Sequence, residues 1–347
     1  MKKLLAVILA GMMALAVAGC GGGDKKAEAP KGGEAKASTV VRVAYMPNMG
    51  SAATLFTGIE QGYFKEVGIE VKPFQFQGGP AEIAAMGSGD IDVAQIGHGA
   101  HKLCIQGQAK IFHMDGTSLA DAVVANKSKG INKVADLKGK TVAVQSGTSS
   151  EIILKLALAD AGLSLNDLKT VEMDANGMVT AIVSGKIDAC ATWSPSTITI
   201  KQGLKDNYLV LADNNTYVSK VTFPSSFITT DKYAKEHKDT LVKFSQALYK
   251  AQNYRKAHID DVAKMLAKKL EVPEKTMLAS TGEGNWLDSA FFKKALADGT
   301  VQKYYENQQK VFLDSGAIKE KVDVNKYVLF DIMKEAYANF EKSNSGK

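Results

Sequence analysis

Apolar positions along this chain switch between strand spacing and helix spacing, and they do so twice in the same order. Val41-Arg42-Val43-Ala44-Tyr45 reads as a short strand and leads into the loop Met46-Pro47-Asn48-Met49-Gly50-Ser51. Leu55, Phe56, Ile59 and Tyr63-Phe64 follow at helical spacing, Gly68 stops the helix, and Ile69 to Phe74 alternates as a strand. After Gln77-Gly78-Gly79-Pro80 comes another short helix, then the stretch GSGDIDVAQIG from Gly87 to Gly97. The second round starts with the strand Thr141 to Val144 and the hydroxyl-rich loop Ser146-Gly147-Thr148-Ser149-Ser150. A helix over roughly Ser149 to Asp160, a strand Thr170 to Met173, a helix from about Gly177 and the stretch VSGKIDACATW then follow. Ser88-Gly89-Asp90-Ile91-Asp92 and Ser184-Gly185-Lys186-Ile187-Asp188 occupy matching places.

Strand–helix–strand–helix–strand, repeated, predicts two α/β lobes, each with a mainly parallel sheet. Ligands bind outside the carboxyl ends of the strands in such sheets. In the first lobe those ends are Met46–Thr54, Gln77–Pro80 and Gly97–Ala100; in the second they are Ser146–Ser150, Asp174–Gly177 and Trp193–Pro195. Two such edges facing one another make a cleft. Farther on, Leu241, Phe244, Leu248, Ala251 and Tyr254 share one helical face, and Val262, Leu266 and Leu270 another, so the last third reads as packing helices.

The amino end places the chain. Lys2 and Lys3 precede an apolar run from Leu4 to Ala18 that ends in Gly19-Cys20, the pattern of a secretory signal, too short for a transmembrane span. Cys20 resembles the lipidated first residue of mature bacterial lipoproteins, which would make residues 1–19 a signal and 20–39 a flexible tether. The formal charge is +6, but the lysines are spread along the chain and the arginines are Arg42 and Arg255 alone. Without a cationic stripe, nucleic acid is not an expected partner. Cys104 and Cys190 are far apart and suggest no disulfide framework.

Candidate chemistry sits at the strand ends. Thr148 and Glu151 fit a capping box, yet Gly147 and the neighbouring hydroxyls also suit an anion at a helix N-terminus. Ser146, Gly147, Thr148 and Ser149 are therefore candidate ligand contacts. Asn48, Ser51, Gln77 and Gly78 are candidates from the matching loops, and His98 and Gly99 from the end of the third strand. Trp193 offers an apolar wall with one N–H donor, and Ser194 a hydroxyl beside it. Arg42, inside a strand, and Arg255, among the helices, are both expected to lie away from the ligand. His98, His101 and Cys104 recur every three residues, but they lack a fourth ligand, so no metal is expected. Neither a Gly-x-Ser-x-Gly elbow nor a P-loop lysine is present; binding rather than catalysis is expected, without a cofactor.

The stretches GYFKEVGIEVK, GSGDIDVAQIG, VADLKGKTVAVQSGTSS and SGKIDACATWSP, in this order, closely resemble periplasmic solute-binding proteins of ABC importers. The nearest branch is the nitrate, sulfonate and taurine type, which also includes binders of thiamine pyrimidine precursors. That resemblance implies a type II binding-protein fold with lobe one at 40–125 and 224–347 and lobe two at 126–223. It further implies a monomer held to the membrane through Cys20, closing on a small solute and handing it to a membrane permease. An anionic or zwitterionic solute is the first expectation and a small heteroaromatic the second. A pyrimidine-synthase-like enzyme on the same fold is a third.

Overall fold

The structure, a computed structural model, describes residues 38–345; the expected signal, Cys20 and the tether up to position 37 lie outside the described residues. One sheet holds β1 (Thr39–Tyr45), β2 (Ile69–Gln75), β3 (Val93–Ile96) and β4 (Lys110–Ser118). A second holds β5 (Asp121–Asn126), β6 (Thr141–Val144), β7 (Lys169–Glu172), β8 (Ala189–Trp193) and β9 (Tyr208–Asp213). The chain then returns to the first sheet with β10 (Pro224–Thr229) and β11 (Gly284–Asn285). The strand orders are β11-β4-β10-β3-β1-β2 and β7-β6-β8-β5-β9.

The internal repeat is visible in these orders. In each lobe the first strand of a repeat lies between the second and the third and runs parallel to both, as helical connections require. The expectation of mainly parallel sheets is corrected in the other half of each. β10 and β5, which arrive from the opposite lobe, are antiparallel to their neighbours. Each sheet is therefore mixed. The first crossing occurs at Leu119-Ala120, before β5, so a lobe limit at position 126 falls one strand late.

The repeated Ser-Gly-x-Ile-Asp element has a structural task in both copies. Gly89 and Gly185 take left-handed conformations (φ 84° and 74°) that end the helices Gly79–Ser88 and Ala175–Val183. The aspartates then tie the third strand of each repeat to the first. Arg42 N–H donates to Asp92 Oδ2 at 2.8 Å, and Thr141 N–H donates to Asp188 Oδ2 at 2.8 Å. Arg42 also turns its guanidinium onto Asp92 and the Gly89 carbonyl, at 3.0 Å (Nε) and 2.7 Å respectively, and so takes no part in the cleft.

The helix Lys238–Ala257 packs on the first lobe, between the helices Met49–Glu60 and Phe330–Ser345. Its stripe of Leu241, Phe244, Leu248 and Ala251 is fully buried. Phe244 meets Phe64 and Phe227 with ring centroids 4.6 and 5.9 Å away; burying each such side chain contributes about 1.5–3 kcal/mol. The helical reading misses β11, two residues that pair with Thr117 and Ser118 at the edge of β4. Among the described residues no helix is long and apolar enough to cross a membrane.

Candidate functional site

Between the sheets lies a cavity of about 70 Å³. The loop after β1 contributes Met46, Asn48, Met49 and Ser51, and the second lobe contributes Thr148, Ser149, Trp193 and Ser194. Asp121, Arg255, Glu283 and Trp286 also line it. The small volume follows from lobes that touch directly. Gly99, in the turn His98–Ala100 after β3, lies so close to the Thr148–Ser149 peptide that a Cβ there would come within 3.0 Å of backbone atoms. Gln145 Nε2 donates to the Gln77 carbonyl at 3.2 Å, and Ser194 and Ser280 hydroxyls meet at 3.0 Å, adding further contacts between lobes.

Of the candidate contacts, Asn48, Ser51, Thr148, Ser149, Trp193 and Ser194 line this cavity. Asn48 caps its helix by accepting from Ser51 N–H at 2.9 Å, and Ser51 Oγ accepts from Met46 N–H at 2.9 Å, so both also shape the loop. The rest of the candidates lie elsewhere. Gln77 lines a neighbouring hollow with Met46 and Trp193, and Gly78 packs on Gln145 across the lobe contact. His98 is buried against Phe223, with ring centroids 4.8 Å apart and neither ring nitrogen partnered. Burial pushes His98 down to about 3, which keeps it neutral. Gly99 does admit a close backbone neighbour, but that neighbour is the other lobe.

The hydroxyl loop turns most of its donors onto its own carboxylates. Ser146 N–H and Oγ donate to Glu172 at 2.9 and 2.8 Å, and Gly147 N–H donates to Glu151 Oε2 at 2.6 Å. Thr148 Oγ donates to the Gln145 carbonyl at 2.6 Å, and Ser149 Oγ donates to Asp121. The capping box therefore does not form as expected: Thr148 makes no side-chain cap, and Glu151 binds the amide one residue earlier. Glu151 also pairs with Lys155 at 2.7 Å and, across the lobes, with Lys102 at 3.8 Å, all outside the cavity. Those positive partners and the Gly147 N–H outweigh burial and hold its carboxyl below the usual range.

A profile of the NMT1/THI5-like family matches residues 50–261. The chain belongs to that family. A Brucella abortus protein named as a binding protein is 31% identical over 291 residues, 84% of this chain and 90% of the relative. A Bacillus subtilis protein named for binding aliphatic sulfonates is 27% identical over 358 residues, 100% of this chain and 99% of its own. The fold matches that of an alkanesulfonate-binding protein from Xanthomonas axonopodis pv. citri bound to MOPS. That match has a TM-score of 0.65 at 20% identity and covers 84% of this chain and 98% of the other.

Four cavity residues of this NMT1/THI5-like chain escape sequence reasoning. Arg255 is fully buried, bonded to Thr54, to Asp115 Oδ1 at 2.9 Å and to the Asp115 carbonyl at 3.0 Å. Its guanidinium carbon lies 5.0 Å from the ring centroid of Trp286, whose indole N–H donates to the Thr281 carbonyl at 2.6 Å. The expectation that Arg255 stays away from the cleft is thereby corrected: its helix points it under the β1 loop. Asp121 stands directly opposite Trp193 in the β5–β8 pairing. Desolvation pushes Asp121 up to about 6, against the hydroxyls that donate to it. Glu283, just before β11, is raised by burial too, and its Oε2 is buried without a partner. The signal that could have found Asp121 is its place at a strand end after β4; Glu283 and Trp286 carried none.

Among the described residues no three His, Cys, Asp or Glu side chains come together to hold a metal. Cys104 and Cys190 are buried free thiols in different lobes, and burial pushes both well above the usual thiol range.

Proposed function

We propose that this chain is the extracytoplasmic solute-binding component of an ABC importer, capturing a small solute by closure of its lobes and passing it to a membrane permease. The observation that carries the reading is the cavity itself, lined from both sheets and shut by direct contact at Gly99. Ligand contacts made from two lobes favour the arrangement in which those lobes meet. The protein works as a monomer, tethered through Cys20, and releases its solute chemically unchanged. Relatives named for sulfonates support a sulfonate-type solute. Asp121 and Glu283 at the cavity favour a zwitterion of the taurine kind over nitrate or a plain sulfonate. Trp193 and Trp286 give a small heteroaromatic, such as a thiamine pyrimidine precursor, a second claim on the same cavity. Scattering or a paired-label distance should show compaction when solute is added, and mass spectrometry should recover the solute unaltered. Unchanged shape at saturation, or a modified solute, would overturn the proposal.

A further inference from the structure

We propose that Asp121 and Glu283, one from each lobe, form a subsite for a positively charged nitrogen of the solute. This rests on the solute-binding reading above and adds the charge that the cavity selects. Asp121 opens β5 of the second sheet, and Glu283 immediately precedes β11 of the first. The crossover at Leu119-Ala120 brings them to the same cavity. Leu119 N–H donates to the Glu283 carbonyl at 2.9 Å, Gly284 pairs with Ser118, and Ser118 Oγ donates to Asp121 Oδ2 at 3.2 Å.

Charge accounting then points to a cation. Asp121 is 1% exposed, and its carboxylate takes hydroxyls from Ser149 and Ser118, neutral donors that do not cancel its charge. The Glu283 carboxylate meets the Ser194 and Ser280 hydroxyls, again neutral donors, and its Oε2 is buried without a partner. Arg255, the cation that also lines the cavity, is already neutralised by Asp115 at 2.9 Å. Among the described residues no ion pair reaches either Asp121 or Glu283. An uncompensated buried charge is costly, and two like charges brought into one cavity raise that cost further. A protonated amine between the two carboxylates removes both penalties. Because the carboxylates come from different lobes, the same ion links those lobes. Trp193 and Trp286 add apolar walls to the same cavity.

Calorimetry and thermal shift on the full soluble chain can decide this with matched probes. Taurine and isethionate differ by an ammonium in place of a hydroxyl; choline and a protonatable aminopyrimidine test cations without a sulfonate. Ammonium-bearing probes should stabilise the protein, and isethionate should bind at least about 30-fold more weakly than taurine, the scale of losing one partner of a buried charge pair. Glu283→Gln should erase that preference, and Asp121→Asn should do the same, with circular dichroism confirming that each variant is folded. Equal binding of taurine and isethionate, or silence across every ammonium-bearing probe, overturns the subsite. An anion without an amine that binds as tightly as taurine and compacts the protein also overturns it, while leaving the solute-binding function standing.

Discussion

Replacing Gly99 by alanine tests the lobe contact apart from the stability of either lobe. Gly99 does not have a positive φ, so alanine fits its own turn without backbone strain. Its added Cβ, however, would fall within 3.0 Å of the Thr148 carbonyl carbon and oxygen and of the Ser149 nitrogen, closer than real Cβ atoms approach. Those are backbone atoms, which cannot rotate aside as a side-chain tip can. Relief means opening the contact by about 1 Å, a gap that already forfeits a quarter to a half of each dispersion contact across it. Overpacking costs about 1–3 kcal/mol where neighbours can yield, so the closed arrangement should lose about 3 kcal/mol, roughly 100-fold in its population. Gly97→Ala is the control, because its Cβ would meet Ser149 Oγ at an ordinary 3.6 Å. Solute affinity and solute-induced compaction should both fall in Gly99→Ala and hold in Gly97→Ala, while unfolding midpoints without solute stay close to that of the parent. Wild-type closure in Gly99→Ala would show that this contact is not part of the solute-bound state.

Trp193→Ala should weaken solute binding by more than about 1 kcal/mol, as loss of an aromatic anchor does; in a Trp286→Phe background its fluorescence should respond to solute, and wild-type affinity would remove it from the site. Arg255→Met leaves Asp115 buried without its cation and should cost about 3–5 kcal/mol in urea unfolding; a loss below about 1 kcal/mol would contradict a buried, structural pair. Asp121 titrates near 6 in the folded chain, above its unfolded value of about 3.9, so its contribution worsens as pH rises from about 4 to 6 and stays unfavourable above. Asp121→Asn should therefore gain stability over the parent across that window, by up to about 3 kcal/mol. The buried His98, His101 and His113, lowered to about 3, act in the opposite direction but are common to both proteins. A difference that does not vary with pH would refute the raised titration of Asp121.

The six strands of the repeat were legible because each alternates between a glycine or loop signal and a helical run. The equal spacing of the two Ser-Gly-x-Ile-Asp elements gave the two lobes, and the structure adds the reason for their likeness in the amide bonds of Asp92 and Asp188. The crossover was not legible. Asp121–Asn126 is a short run with an apolar centre, and only pairing with β8 and β9 reveals which sheet it joins. β11 is two residues long and owes its strand character to Ser118 and Thr117 rather than to its own sequence. Long-range pairing of this kind leaves no periodicity to read. With those two elements went Asp121, Glu283 and Trp286, and so the negative side of the cavity.

The hydroxyl loop shows the same limit in its chemistry. A glycine and four hydroxylated residues before a helix give convergent donors, and the helix dipole favours an anion there. What sequence spacing does not give is the occupancy of those donors. Glu172 lies at the end of β7, one strand over, and takes Ser146; Glu151, in the first turn of the helix, takes Gly147; Asp121, across the sheet, takes Ser149. Each carboxylate is drawn to the loop by the same positive potential that would draw a solute anion, and each is already part of the chain. The anion-binding capacity of this helix terminus is thus largely spent within the fold. What remains on the cavity side is the charge of Asp121 itself, so a feature that in isolation selects anions here presents a carboxylate to the solute.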